Sequence, residues 1–248
     1  MEPIIHIDGI SKTYKGAETP AVDDITLKIY PNEFFGLLGP NGAGKTTTIS
    51  MMCGYIRSGK GKITIDGKDI SQHLSDIKQI IGIVPQDIAL YPSLSARENL
   101  TFFGNIFGMK GKVLKNRIDE CLEKFGLTAN ANKKISSYSG GMKRRVNLIA
   151  GIIHQPKILF LDEPTVGIDV QSRSIINEIL AELNKKETTI IYTSHHLDEA
   201  EKMCSTVAVI DYGKIIAQGS PADLVSRYDK CETLEDVFLK LTGRKLRD

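Results

Sequence analysis

"GPNGAGKTTT", Gly39 to Thr48, follows the apolar run "FFGLL" and leads into "ISMM". From Gly39 to Thr46 it fits the pattern G-x-x-x-x-G-K-[ST]. That pattern needs a short strand before it and a helix after it. "FFGLL" supplies the strand, and residues Lys45–Met52 read as the helix. Gly42 and Gly44 permit tight backbone curvature, so that successive N–H groups can face phosphate oxygens. Lys45 would reach the β- and γ-phosphates, and the Thr46 hydroxyl would bind Mg²⁺. The expected phosphate site is the stretch Gly39, Pro40, Asn41, Gly42, Ala43, Gly44, Lys45, Thr46 and Thr47.

Two further stretches complement it. "ILFLDE", Ile158 to Glu163, is an apolar strand ending in adjacent acids. Beside a phosphate loop, Asp162 would hold Mg²⁺ through its water shell, and Glu163 would polarise an attacking water as general base. "YSGGMKRR", Tyr138 to Arg145, reads as a helix start, with Ser139 as the cap and Gly140 and Gly141 leaving free N–H groups. Such an end attracts an anion. One domain therefore carries two candidate phosphate-reading helix ends. Lys143, Arg144 and Arg145 are expected on a solvated helix face or against a partner.

The chain has 248 residues, 41% hydrophobic and 25% charged, with a formal net charge of +2. That is ample for a buried core and gives no global field pointing to nucleic acid. The longest apolar stretches, such as "LIAGII", fall short of the ~20 residues a membrane span requires. "MEPIIHIDG" lacks the basic region and apolar core of a secretory signal. Cys53, Cys121, Cys204 and Cys231 are scattered, with no metal-ligand spacing. A cytoplasmic protein with reduced thiols is expected.

"IIHIDGI", "AVDDITLKI" and "KITIDG", the last ending on an Asp-Gly turn, suggest a small antiparallel sheet at the N-terminus. "ARENLTFFGNIFG" and "KNRIDECLEKFG" are helical in pattern and end at glycine. The runs "KILFLDEP", "TTIIYTSHH" and "TVAVIDYG" are separated by the helical segments "QSRSIINEILAELNKK" and "LDEAEKM". Apolar strands alternating with helices predict an α/β domain with a parallel core sheet covered on both faces.

With these motifs in place, the chain resembles the ATP-binding subunit of an ABC transporter from end to end. That resemblance implies a P-loop NTPase fold with an N-terminal antiparallel β subdomain and a helical insertion at about 87–153. It sets the ATPase domain at 1–230 and a C-terminal tail at 231–248. It also implies further site residues. Tyr14 in "SKTYKG" would stack on adenine. Gln86 in "GIVPQD" would contact Mg²⁺ and the attacking water and signal to the membrane partner. Ser139, Gly140 and Gly141 match the family signature, Asp169 in "VGID" the aspartate loop, and His195 in "YTSHH" the switch histidine. Any one is weak, but the ordered set, spread over about 180 residues, is specific.

The family geometry answers why there are two helix ends. Two subunits would meet head to tail, with the Ser139 end of one closing over ATP held at Lys45 of the other. The signature departs from the family pattern at Tyr138, in place of leucine, and at Met142, in place of glutamine. "LEDVFLKLTGRKLRD" and "GGMKRR" resemble the ABC-2-type exporter branch, including drug-resistance and lipid or polysaccharide exporters. An ABC-2-type permease and a second copy are the expected partners, with no nucleic acid. The subunit would sit on the inner face of the cell membrane through the permease. The alternatives are a non-transport ABC ATPase acting on ribosomes or nucleic acid, and a nucleotide-binding regulator without turnover.

Overall fold

The computed structural model describes residues 1–194 and 196–243. Among them, strands β1 (Ile5–Lys12), β2 (Val22–Ile29), β3 (Phe34–Leu38), β4 (Lys60–Ile65), β5 (Lys68–Asp69), β6 (Ile81–Val84), β7 (Ile158–Asp162), β8 (Thr189–Thr193), β9 (Thr206–Asp211) and β10 (Lys214–Gly219) form two sheets. The smaller runs in the order β2-β1-β4-β5, antiparallel throughout. Its β4–β5 hairpin turns on Asp66 and Gly67, both at positive φ, the geometry that Asp-Gly favours.

The larger sheet runs β10-β9-β3-β8-β7-β6. Its strands from β9 to β6 are parallel, and β10 returns antiparallel along the edge. Every residue of β3, β7 and β8 is buried, as expected for parallel strands covered on both faces. Alternation decides which side each residue fills. Phe35 and Leu37 of β3 enter one apolar cluster, shared with the antiparallel sheet, whereas Phe34 and Leu38 enter the other.

Helices cover these faces: α1 (Lys45–Met52), α2 (Ile70–Ile80), α3 (Ala96–Ile106), α4 (Gly111–Lys124), α5 (Gly140–Ile152), α6 (Val170–Lys185), α7 (Leu197–Met203), α8 (Pro221–Arg227) and α9 (Leu234–Thr242). A capping box fixes the start of α3. The Ser95 hydroxyl accepts from the Glu98 N–H, and the Glu98 carboxylate accepts from the Ser95 N–H. Helix α5 lies directly on β6. A Cβ on Gly82 would sit 2.2 Å from the Gly151 carbonyl oxygen, and one on Gly151 would sit 2.6 Å from Val84 Cγ2. Helix α9 packs on α7 and α8 through Leu234, Val237 and Phe238. No described helix is long and apolar enough to cross a membrane.

The parallel register places the carboxyl ends of β3, β6, β7 and β8 along one edge, where ligands of open α/β sheets bind. Residues 39–46, 85–87, 162–163 and 193–194 all emerge there.

Candidate functional site

The loop after β3 is held by its own backbone and its neighbours. Gly42 and Gly44 take φ of 78° and 110°, a region open to glycine. A Cβ on Gly44 would meet the Ala21 carbonyl oxygen at 2.4 Å, and one on Gly39 would meet the Ile210 carbonyl oxygen at 2.3 Å. Lys45 is 6% exposed, and its Nζ donates to the carbonyls of Gly39 (2.6 Å) and Pro40 (3.1 Å). The ammonium thus points into the concavity of the loop. Burial pulls its pKa down, and Glu163 and Asp162 oppose that shift.

Asp162 and Glu163 close the other side. The Thr46 hydroxyl donates to Asp162 Oδ2 at 3.2 Å, and the Thr193 hydroxyl donates to Oδ1 at 2.7 Å. The Glu163 N–H donates to the same Thr193 hydroxyl at 3.0 Å. Glu163 itself sits at φ +51°, in the left-handed region, just where β7 ends. Burial pushes its carboxyl pKa up, Lys45 and Arg144 draw it down, and Asp162 pushes it up further. Two residues on, the Thr165 and Tyr192 hydroxyls both donate to Glu199 Oε2, at 3.2 and 2.8 Å, tying the turn after β7 to α7.

Lys45, Thr46 and Glu163 share one cleft of about 400 Å³, lined by residues 41–47 with Ala21, Gln86 and Glu163, and Asp162 is bonded to its rim through Thr46. The donor set fits a nucleotide and its metal. Curved backbone amides and a buried ammonium face the phosphate side, and a hydroxyl in contact with a carboxylate offers oxygen ligands for Mg²⁺. Tyr14 is 46% exposed, and its phenol oxygen lies 3.2 Å from the Thr47 hydroxyl, which places an accessible ring next to α1.

Ser139, Gly140, Gly141 and Asp169 do not line that cleft. They form a second constellation. The Ser139 hydroxyl caps α5, accepting from the Met142 N–H at 3.3 Å. Asp169 caps α6, accepting from the Ser172 N–H at 2.8 Å and from its hydroxyl at 3.0 Å. Those bonds, with Arg145 behind them, hold the Asp169 carboxyl below the usual range. A Cβ on Gly141 would lie 2.2 Å from Ser172 Oγ and 2.7 Å from Asp169 Oδ2, so only glycine lets the two helix starts meet. His195 lies outside the described residues.

Two residues of the basic run after the signature, Arg144 and Arg145, differ from their expected place on a solvated face or against a partner. Arg144 is 7% exposed and donates to the Gln86 and Pro85 carbonyls, and Arg145 Nη1 donates to the Phe125 carbonyl at 2.8 Å. The two arginines turn inward because the Pro85, Gln86 and Phe125 carbonyls accept from them there. Thr193, the shared partner of Asp162 and Glu163, was also not singled out in the sequence. Its signal was its place at the end of the apolar run "TTIIYT". The Tyr138 departure is explained by a specific bond: the ring is buried and its hydroxyl donates to the Asn130 carbonyl at 2.7 Å.

A family model described as ABC transporter matches residues 22–166. The chain is 48% identical over 224 residues to the linearmycin resistance ATP-binding protein LnrL of Bacillus subtilis (strain 168), covering 90% of this chain and 71% of that protein. It is 38% identical over 235 residues to the Nod factor export ATP-binding protein I of Cupriavidus pinatubonensis (strain JMP 134 / LMG 1197), covering 95% of this chain and 72% of that protein. A solved structure described as a dimeric, post-hydrolysis state of the ATP-binding cassette MJ0796, bound to ADP and Pi, is also similar. It superposes with a TM-score of 0.80 at 27% identity, covering 87% of this chain and 98% of that one. With its phosphate loop, acidic strand end and layered sheets all matched over this span, the chain belongs to the ABC transporter family, as one of its ATP-binding and ATP-hydrolysing subunits.

Proposed function

We propose that this chain powers an ABC-2-type exporter through ATP-driven, head-to-tail dimerisation with a second copy of itself. The observation that carries the reading is the separation of two half-sites. Lys45, Thr46, Glu163 and Gln86 gather at one cleft with Asp162 bonded to Thr46, while Ser139, Gly140, Gly141 and Asp169 gather elsewhere. A second chain brings the missing half to each cleft. The names of the relatives, a resistance protein and an export protein, support the exporter branch. The dimeric state of the similar cassette supports the pairing.

In this reading the backbone of residues 39–46 wraps the phosphates and Lys45 exchanges its bonds to the Gly39 and Pro40 carbonyls for phosphate oxygens. Thr46, Gln86 and Asp162 would hold Mg²⁺, which would neutralise charge on the phosphates. Tyr14 stacks on the adenine. Glu163 takes the proton of the attacking water, and its raised pKa suits a base in a partly desolvated site. His195 would act as the switch histidine toward the γ-phosphate, and the Ser139 end of the second copy, with the Asp169 beside it, would cover that phosphate. The phosphates join two positively polarised helix ends, and hydrolysis removes that join.

The permease would dock beside the Gln86 loop. A largely apolar groove of about 400 Å³ there is lined by Tyr55, Ile83, Pro85, Phe103, Phe107 and His154, among others. Phe102 (41%) and Ile106 (58%) of α3 extend exposed apolar surface next to it. This reading treats residues 87–153 as the inserted helical subdomain, 231–248 as an exporter-type tail, and the subunit as peripheral on the cytoplasmic face of the membrane.

Affinity purification from cells solubilised in mild detergent tests the proposal. A polytopic membrane protein should copurify, and adding it back in vesicles should stimulate hydrolysis. Copurification with ribosomes or nucleic acid, and no stimulation, would replace the exporter reading with a non-transport one.

A further inference from the structure

Helix α5 carries a stripe of unusual residues along the face it turns to β6. Arg144 Nη1 donates to the Gln86 carbonyl at 2.5 Å and to the Pro85 carbonyl at 3.3 Å. Asn147 is 3% exposed, and its Oδ1 accepts from the Ala89 N–H at 3.1 Å while its Nδ2 donates to the Pro85 carbonyl at 3.4 Å. Gly151 lets the helix touch the strand at Ile83 and Val84. His154, just past the helix, has Nε2 at 2.9 Å from the Ile81 carbonyl. Residues 144, 147, 151 and 154 recur at helical spacing, so one face of α5 and the residue just past it hold Ile81, Ile83, Val84, Pro85, Gln86 and Ala89.

Burying a guanidinium is costly unless it is hydrogen-bonded, and Arg144 is buried. Its bonds are charge-assisted, the stronger kind. They grip backbone, which leaves the Gln86 side chain to the cleft. Its positive charge also faces Asp87 and Glu163. Ser139 caps the start of the same helix, little more than one turn before Arg144, so a shift at one end of this connection is passed to the other through a helix and not through a loop.

We propose that Arg144 is a positioning residue: its guanidinium fixes the Gln86 backbone to α5, so that Gln86 in one cleft and the Ser139 end serving the other cleft shift as one body. This rests on the roles given to Gln86 and Ser139 above. The mechanical link, however, has a readout of its own. Without it, each ATP would report to its own subunit only. With it, the Gln86 loop of one cleft is wired to the helix end that covers the other.

Amide hydrogen exchange and steady-state hydrolysis on the full chain test this together. In Arg144→Ala, exchange should accelerate across residues 85–89 and the first turn of α5. The kcat should fall about tenfold or more through misplacement, with KM for ATP within about twofold. Arg144→Lys keeps the charge but not the planar fork, so it should recover part of both the protection and the kcat. Unchanged exchange at 85–89, or wild-type kcat, would overturn the proposal. So would a loss in Arg144→Ala that follows the melting temperature alone and is not rescued by lysine. If Arg144→Ala does not fold, Arg144→Lys decides: intermediate exchange and kcat at unchanged KM support the link, and wild-type values for both overturn it. Gln86→Ala separates the two layers. Full turnover in that variant, with the loop still loosened by Arg144→Ala, would remove the role of Gln86 while leaving the link in place.

Discussion

The Thr46 hydroxyl donates to Oδ2 of Asp162 at 3.2 Å, joining the first turn of α1 to the last residue of β7 across 116 positions of sequence. The two oxygens that would serve Mg²⁺ already face one another, and Thr193 holds the second Asp162 oxygen in place. Metal binding therefore needs little rearrangement of the protein. Asp162→Asn should raise the Mg²⁺ concentration for half-maximal ATP binding about tenfold or more, as loss of an outer-sphere carboxylate does elsewhere. Thr46→Ala should act in the same direction. A Mg²⁺ titration of fluorescent-nucleotide binding checks both, and an unmoved midpoint would take Asp162 away from the metal.

Glu163→Gln should abolish turnover while ATP still binds. The neutral amide keeps the shape of the side chain but cannot accept the water proton. With the γ-phosphate uncleaved, ATP and Mg²⁺ should drive the chain into a stable dimer, visible as a doubled mass in light scattering. A variant that stays monomeric at saturating ATP would count against both the base and the shared-nucleotide geometry.

Tyr14→Ala should weaken ATP binding several-fold, since aromatic stacking contributes about 1 kcal/mol. Tyr14→Phe keeps the ring and loses only the contact with the Thr47 hydroxyl, which is exposed and exchangeable with water. Its affinity should stay close to that of the wild type in calorimetry. Equal losses in the two variants would assign the effect to the hydroxyl.

Lys45→Ala and Ser139→Arg damage opposite halves of the proposed composite site. Each homodimer then has two defective sites, whereas a mixed dimer has one intact pair. In a Glu163→Gln background, with subunits exchanged and mixed dimers isolated by tags, labelled ATP should be retained only in the mixture. Retention no greater than in the separate proteins would mean that Ser139 does not act across an interface.

Much of this was legible in the sequence wherever local pattern and tertiary role coincide. Residues 45–52 form a helix because the glycine loop fixes where it must start, and Asp66–Gly67 turns because both positions need positive φ. The apolar runs ending in Leu38, Asp162 and Thr193 are strands of the buried sheet, and their carboxyl ends carry the cleft. The parts that escaped notice depend on distant partners. Helix α2 sets Ile70, Leu74 and Ile77 on one face, but it buries only Ile77 fully and departs from helical backbone at His73, so the stripe is short, half-exposed and interrupted. Strand β10 alternates weakly on a sheet edge. Arg144 looked like a surface cation because the carbonyls of Pro85 and Gln86, which draw it inward, lie some sixty positions away.

The left-handed backbone at Glu163 sets chemistry against endurance. A residue other than glycine at φ +51° costs about 1–2 kcal/mol, and this one also carries a buried carboxylate. Glu163→Gly or Glu163→Asn would relieve both, and should melt at a higher temperature than the wild type while hydrolysing nothing. A melting temperature at or below the wild-type value would show that the surroundings have already absorbed the strain. Any screen that rewards heat resistance alone would then drift toward chains that survive because they have stopped working, so thermal selection on this protein must be run with turnover as a second gate.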